Sequence, residues 1–254
     1  MRSQSFYLYL VLLFLSACSV LQPVHESNAP ETLGPWGFRI GAIAGSSPTV
    51  SSNLNTTDNS SYSLPLEGFR VDIGLGRSFE FDYDAFVGGA VAAGSSYQLR
   101  WQIFGNPLFE TKAGDSALTL GVRNSVGTAP GFTSSDITNA SYYSADLSLN
   151  SYDVSLVYGH RMYEAFGAYI GAKNISGSVT ASYHSVVNGP VVATTNKSFT
   201  AYGGVAGLYL SPHGKSAGVD LILELDYMNV PATYSTASNW VSDVNVSLGI
   251  PFHF

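Results

Sequence analysis

Carboxylates at alternate positions are the first residues in this chain whose type and spacing suggest chemistry. Glu80, Asp82 and Asp84 are separated by one residue each, and alternate residues of an extended strand share a face. Three carboxylates on one face bind a divalent cation or pair with nearby basic side chains. Because this spacing serves an internal network of ion pairs equally well, we assign no metal ligand and expect no cofactor.

The five histidines include one candidate for nucleophilic catalysis. His184 lies two residues after Ser182, so the two side chains share a face if the segment is a strand. A working Ser/His pair also needs an orienting acid within hydrogen-bond reach. The chain has no Gly-x-Ser-x-Gly, His-Glu-x-x-His or phosphate-loop motif. We therefore predict that the protein is not an enzyme and assign no catalytic residue. The alternative is an envelope lipid-modifying hydrolase that depends on His184.

The segments that carry the charged residues have an apolar/polar period of two. Leu223 and Leu225, for example, alternate with Glu224 and Asp226, which indicates a strand with two different faces. No apolar stretch after residue 17 reaches the roughly 20 residues that a membrane-crossing helix needs. In lipid every backbone group needs a hydrogen-bond partner. The sequence therefore predicts an all-β fold, a closed antiparallel transmembrane β-barrel.

About ten strands fit the pattern between residues 36 and 254. Their connections alternate in length, with the longer ones predicted at one end of the barrel and the shorter ones at the other, except for a short link near residues 93–96 at the end of the longer ones. The longer connections are residues 46–65, 127–145, 185–197 and 229–239, and the shorter ones are 76–78, 105–115, 160–163 and 211–215. Eight strands are the alternative, if residues 78–104 form one irregular strand and a loop. In the seventh strand the apolar phase slips between Ala172 and Ile175, which predicts a β-bulge or a strand that projects beyond the membrane.

The positions of the charged residues along each strand predict which face of the strand contacts lipid. An arginine on the lipid face at the bilayer midplane costs about 2–4 kcal/mol, so the charged set is expected to point inward. The predicted interior set is Arg39, Arg70, Asp72, Arg100, Arg123, Asp153, Lys173, Asp220, Glu224 and Asp226. In a barrel of about ten strands these long side chains are expected to meet and pair. We predict a plugged or very narrow lumen, with a narrow selective channel as the alternative.

The C-terminal residues alternate between apolar and other side chains, and the printed sequence ends on an aromatic. The apolar set is Val246, Leu248, Ile250, Phe252 and Phe254. This pattern resembles the C-terminal strand of bacterial outer-membrane β-barrels, in which that strand is the insertion signal. The resemblance implies the outer membrane, contact with its lipids and with the barrel-assembly machinery, and both termini in the periplasm.

The N-terminal residues combine a short basic start with an apolar run, residues 6–17, that has the length of a signal-peptide core. The run ends in Leu15-Ser16-Ala17-Cys18, which resembles the lipobox of bacterial lipoproteins. The resemblance implies that Cys18 carries fatty acids such as palmitate and that lipoprotein-sorting machinery is a partner. We therefore expect a signal peptide over residues 1–17, a lipid-anchored flexible linker over 18–35 and the barrel over 36–254.

Composition agrees with a membrane protein. Charged residues make up 11% of the chain, against about 25% in soluble domains. A net charge of -7 argues against nucleic acid as a partner. The predicted role is structural, or surface interaction through the outer loops, and the outer ligand is not identified. A soluble periplasmic lipoprotein barrel that binds an apolar ligand is the remaining alternative, and it requires the opposite arrangement of faces.

Overall fold

The computed structural model describes residues 19–21, 26, 28–51, 63–88, 92–132, 144–184, 191–211, 217–231 and 238–253. Cys18 and Phe254 lie outside these residues. Eleven strands and one short 3-10 helix, Leu108–Glu110, are present among them. The strands are β1 (Ser19–Leu21), β2 (Gly37–Ser51), β3 (Ser63–Gly74), β4 (Phe79–Gly88), β5 (Ala92–Phe104), β6 (Ser116–Phe132), β7 (Ser144–Arg161), β8 (Phe166–His184), β9 (Val191–Leu210), β10 (Asp220–Pro231) and β11 (Ser238–His253). No helix within these described ranges is long and apolar enough to cross a membrane.

Ten of the strands, β2 to β11, form a closed antiparallel barrel. Each pairs with its neighbours in chain order, and β2 closes the barrel by pairing with both β3 and β11. Ile40, for example, lies between Val71 and Ile250. The predicted fold is therefore confirmed. The eight-strand alternative is wrong, because β4 and β5 are separate strands that pair with each other from Phe79 to Gly88.

The barrel has two different rims. At the turn rim, Gly37 pairs with His253, and short connections join β3 to β4, β5 to β6 and β7 to β8. At the loop rim, β2, β6, β8 and β10 end and the next strands begin. Several strands run further into the predicted loops than the sequence suggested, and β6 continues to Phe132. Backbone pairing needs no apolar side chain, so polar ends of strands were misassigned to loops.

The outward face of the barrel is apolar between the rims. On β10, Leu221, Leu223 and Leu225 point outward and are about half exposed, whereas Glu224 and Asp226 are buried inside. Aromatic pairs lie on this outer face toward both rims. Phe79 stacks on Trp101 near the turn rim, and Tyr227 stacks on Trp240 near the loop rim. Such belts lie at the two water interfaces of membrane barrels. A soluble barrel would need apolar side chains inside and charged ones outside, and the described strands do not show that arrangement between the aromatic pairs.

The faces change character in the four longest strands, β6 to β9. On β7, Val154 points outward and Asp153 inward, but nearer the loop rim Asn150 points outward and Leu149 inward. The inward residues of this upper part form an apolar cluster that includes Leu147, Leu149, Ile175, Val179 and Phe199. A transmembrane strand needs about 9–11 residues. Strands of 17 to 20 residues therefore extend beyond the apolar band and fold there with polar side chains outside.

This change explains the phase slip in the sequence of β8. Asn174 and Ile175 continue the register with β7 without interruption, so the bulge predicted between Ala172 and Ile175 is wrong. The irregularity in this strand lies at its end, between Tyr183 and His184. The side chains alternate regularly throughout. What changes is the environment, because Ile175 belongs to the part of the strand whose apolar side chains face inward.

The N-terminal residues run through the lumen. Ser19 pairs with Ser51 of β2 at the loop rim, whereas Gly37 begins β2 at the turn rim. Between these points, Glu26 and residues 28–34 are buried inside the barrel. The expectation of a flexible linker over 18–35 does not hold for them, because they pack against the barrel's inner wall. Ser19 lies at the loop rim and His253 at the turn rim. Residues 1–18 and Phe254 lie outside the described residues, so the periplasmic location of both termini stays a prediction.

Candidate functional site

The inner wall of the barrel carries a dense set of buried charges. All ten residues of the predicted interior set are at most 4% exposed: Arg39, Arg70, Asp72, Arg100, Arg123, Asp153, Lys173, Asp220, Glu224 and Asp226. They lie on β2, β3, β5, β6, β7, β8 and β10, at positions that alternate with outward apolar residues. The side chains from all sides of the barrel therefore converge in its interior.

Strand register brings opposite charges face to face. Arg70 is the direct cross-strand partner of Asp84, and its Nε atom lies 2.7 Å from Asp84 Oδ1. Arg39 lies opposite Asp72, with 3.0 Å between Nη1 and Oδ2, and its Nε atom is 2.9 Å from Asp220 Oδ2. Arg39 thus bridges two acidic residues that are far apart in sequence. Buried ionic groups of this kind are stable only when they are paired.

Three of the acidic residues lie close enough together to suggest a cation site. One carboxylate oxygen each from Asp72, Glu80 and Asp82 falls within 4.8 Å of the other two. Guanidinium groups already face this cluster, because Arg39 bonds to Asp72 and Arg100 bonds to Glu80. Positive charge is therefore supplied by the protein itself. The arrangement favours the ion-pair network predicted from the sequence.

The N-terminal segment, defined here as Glu26 and residues 28–33, contributes its own groups to this interior. Glu26 Oε1 lies 3.5 Å from Lys173 Nζ, and its other carboxylate oxygen accepts a hydrogen bond of 2.9 Å from Gln98. Asn28 donates to Asp82 at 2.8 Å and accepts from Arg39 at 2.7 Å. The segment therefore completes the polar contacts of the wall.

Closer to the turn rim, the same segment is held at further points. Glu31 Oε1 lies 3.2 Å from Arg161 Nε and accepts a hydrogen bond of 2.8 Å from the Tyr209 hydroxyl. The backbone N–H of Leu33 donates to Glu80 at 2.6 Å, and that of Thr32 donates to Gln102 at 2.8 Å. The segment therefore contacts the inner wall at several heights of the barrel.

Two tyrosines of the inner wall lie flat against glycines of the neighbouring strand. Tyr169 is the cross-strand partner of Gly207, and Gly167 is the partner of Tyr209. A Cβ atom at either glycine would lie 2.2 Å from the partner's ring, so neither position has room for a side chain. Tyr169 is placed to donate a hydrogen bond to Glu224. The glycines therefore position the two hydroxyls that contact interior carboxylates.

A second group of functional interest lies at the loop rim. His184 Nε2 is 3.0 Å from Asp146 Oδ2, and Asp146 is exposed. Ser182 is the direct cross-strand partner of Asp146. The structure therefore places the carboxylate of Asp146 next to His184, for which the sequence had indicated only Ser182 as a neighbour. These residues lie apart from the charged lumen.

An open groove of about 580 Å³ crosses the outside of strands β4 to β8, toward the loop rim. Its outward polar side chains come from cross-strand rows of the sheet. Thr128 pairs with Ser148, and Asn150 pairs with Ser178. Tyr83 and Ser95 lie at one side of the groove. The groove residues carry no charge, so its surface suits an uncharged polar ligand.

Several interior residues were not part of the predicted set. The sequence places Arg161 in a turn, and it allows Glu80, Asp82 and Asp84 either a cation or an internal ion-pair network without including them in the predicted set. All four are buried in the lumen. The alternation of residues 80, 82 and 84 with aromatic residues could have predicted the inward position of those three. Glu26 and Glu31 carried no such signal, because their segment has no periodicity.

The predicted C-terminal set lies on the outer face as far as it is described. Val246, Leu248 and Ile250 are 40% to 52% exposed, and Phe252 is partly exposed. Phe254 and the predicted lipidation site Cys18 lie outside the described residues. The insertion role of this strand and the acylation of Cys18 stay predictions.

Comparison with known proteins gives no family. No protein-family model and no curated protein matches this chain. Among solved structures, the barrel is similar to the attachment invasion locus protein Ail of Yersinia pestis, with 14% identity over 86% of this chain and 97% of Ail, and a TM-score of 0.34. It is also similar to the outer membrane protease OmpT of Escherichia coli, with 10% identity, 89% and 100% coverage and a TM-score of 0.41. The N-terminal barrel domain of Pseudomonas aeruginosa OprF matches at 12% identity, 87% and 99% coverage and a TM-score of 0.31.

Proposed function

We propose, from the chain's own geometry, that it is a closed outer-membrane β-barrel with a structural or surface-interaction role. The observation that carries this proposal is the filled lumen. Glu26, Asn28 and Glu31 bond to wall residues on several sides. An interior occupied in this way leaves no wide path for solutes.

Placement in the outer membrane is supported by the outward apolar band and its aromatic pairs. Burying the charged face of the same strands in lipid would cost several kcal/mol for each arginine. Outer-membrane lipids are therefore the proposed surroundings of residues such as Leu223 and Leu248. The proposed assembly partner is the barrel-assembly machinery, through the C-terminal strand. Cys18 is the proposed anchor, and labelling with radioactive palmitate tests it, with Cys18→Ser as the control.

A surface role is supported by the part of the barrel that extends past the apolar band. Apart from Asp146, the described outer face of β6 to β9 presents mainly uncharged polar side chains there, including Ser148, Asn150, Ser198 and Thr200. Binding residues often lie on the loops and edges of a rigid scaffold. The groove beside Thr128 and Ser148 adds a concave surface of the same chemistry.

Two measurements test this proposal. In planar bilayers the full-length protein should show little steady conductance, and large stable openings would contradict the closed lumen. On whole cells, Ser148→Arg with Asn150→Arg should reduce adhesion to a panel of immobilised glycans and matrix proteins. The matched control is Glu110→Arg with Glu164→Arg, at the opposite rim. Unchanged adhesion in the groove variant, with the barrel assembled, would rule out a surface role for the groove.

A second candidate function is an envelope hydrolase. The observation in its favour is the 3.0 Å contact between His184 and Asp146, since an acid that orients a histidine is part of a nucleophilic site. The test is hydrolysis of lipid and peptide substrates by purified protein. Loss of activity in both His184→Ala and Asp146→Asn would support an enzyme. Absence of activity in the wild-type protein would remove this candidate.

A further inference from the structure

The width of the barrel leaves room that the wall's side chains alone do not fill. Eight strands already enclose an interior just wide enough for side chains. This barrel has ten, and the N-terminal segment takes up the additional space. Asn28 sits between Arg39 and Asp82, which project from β2 and β4. The segment therefore occupies the lumen and is not part of the barrel wall.

The segment is held mainly through side chains of the wall. The backbone N–H groups of Glu26, Thr32 and Leu33 donate to the side chains of Glu224, Gln102 and Glu80. Backbone pairing with the barrel is limited to the short strand β1 at the loop rim and to one bond, from Leu108 N–H to the Thr32 carbonyl, among the described contacts. The barrel's own strand ladder is complete without the segment.

The wall that the segment covers has an excess of carboxylates. Among the described buried residues, the wall carries nine acidic side chains and six basic ones. The acidic side chains are Asp72, Glu80, Asp82, Asp84, Asp153, Asp220, Glu224, Asp226 and Asp243, and the basic ones are Arg39, Arg70, Arg100, Arg123, Arg161 and Lys173. Rings of carboxylates favour cations in narrow pores. The two further carboxylates of the segment, Glu26 and Glu31, add to the same excess.

We infer that the barrel wall encloses a cation-selective pathway and that the N-terminal segment of the same chain keeps it closed. Displacement of the segment would open a path lined by the acidic residues. This activity goes beyond the proposed surface role. It does not depend on the outer groove or on His184.

The experiment displaces the segment in the full-length protein. Glu26→Lys with Glu31→Lys places positive charges opposite Lys173 and Arg161, so like charges replace two ion pairs. In planar bilayers with a KCl gradient, this variant should show at least a tenfold rise in conductance over the wild-type protein. Its reversal potential should have the sign given by K⁺ permeation.

The matched control makes the same change of charge outside the lumen. Glu110→Lys with Glu164→Lys alters two exposed acids at the turn rim and should leave the protein as silent as the wild type. A second variant lacks residues 19–33, which removes the segment without adding charge. It should conduct with the same preference for K⁺.

Assembly of each variant is checked by heat-modifiable migration on a gel in detergent. An assembled variant that stays silent, or one that prefers Cl⁻, would overturn the inference. Failure of both segment variants to assemble would overturn it as well, because the segment would then be part of the barrel's framework. A conducting wild-type protein would contradict the closed lumen of the proposed function, whereas silent variants would contradict only the pathway inferred here.

Discussion

The hydroxyl of Tyr209 donates a hydrogen bond of 2.8 Å to the carboxylate of Glu31, which lies 178 positions earlier in the chain. This bond joins a barrel strand to the N-terminal segment inside the lumen. Arg161 contacts the same carboxylate oxygen at 3.2 Å. Side chains from two strands thus hold one residue of the segment.

Replacing Tyr209 with phenylalanine should weaken this attachment. The change removes the donor and leaves the ring in place, and a hydrogen bond to a charged group contributes about 1.5–3 kcal/mol. We expect a lower midpoint of urea unfolding in lipid vesicles. Tyr227→Phe is the control, because Tyr227 lies on the outer face and stacks on Trp240. Equal effects of the two substitutions would contradict a specific role for the Tyr209 hydroxyl.

Removing a buried arginine should destabilise the barrel far more than removing an exposed one. Arg70→Gln removes the buried guanidinium that pairs with Asp84 and Asp72, and breaking such a pair costs about 3–5 kcal/mol. Arg77→Gln removes an ion pair with Glu110, in which the two side chains are 68% and 53% exposed. This substitution should lower the free energy of unfolding by about 0–1 kcal/mol. Unfolding in urea measures both. A small effect at Arg70 would mean that the interior admits water.

The free-energy cost of placing a charged side chain on the outer face should depend on how deep the position lies in the apolar band. Leu223→Arg places a guanidinium on the band, where the cost is about 2–4 kcal/mol. Val219→Arg makes a comparable change just before β10 at the turn rim, where the cost falls to about 0–1 kcal/mol. Folding yield into lipid vesicles should drop for the first variant only. The reverse ranking would mean that the membrane lies elsewhere on the barrel.

A side chain at Gly207 should push Tyr169 away from Glu224. The added Cβ would lie 2.2 Å from the ring, and such overpacking costs about 1–3 kcal/mol. Gly204→Ala is the control on the same strand, because its Cβ would meet only the Gly171 carbonyl oxygen, at 3.3 Å. Thermal unfolding should show a lower transition temperature for Gly207→Ala. Equal temperatures would mean that the tyrosine ring has room to move.

The turn between β5 and β6 should lose stability in acid. Asp115 accepts hydrogen bonds from the side chain of Asn106 and the backbone N–H of Lys112, and these bonds lower its pKa. A lowered pKa in the folded state means that the carboxylate stabilises the turn above about pH 4 and that this contribution is lost as the pH falls through the folded value. NMR titration of the Lys112 amide should report this. In Asp115→Asn the transition should disappear, and its persistence would assign it to another group.

The alternation of residues along each strand could be predicted from the sequence because it is local. Leu223, Glu224, Leu225 and Asp226 show the two faces directly, and an arginine in lipid is too costly for the faces to be exchanged. The strand count followed from the same period. Arg70 and Asp84 could be placed on the inner side but not paired, because pairing depends on the register between strands.

Two features needed the tertiary structure. In β8, Asn174 and Ile175 look like an interruption of the pattern, and only the height of the strand above the apolar band shows that the pattern continues with its polarity reversed. The N-terminal segment has no period at all. Its place in the lumen depends on Glu26 and Glu31 meeting Lys173 and Arg161, more than 100 positions away. Local sequence thus determined which side of each strand faces outward in the apolar band, whereas contacts between distant residues decided what fills the barrel.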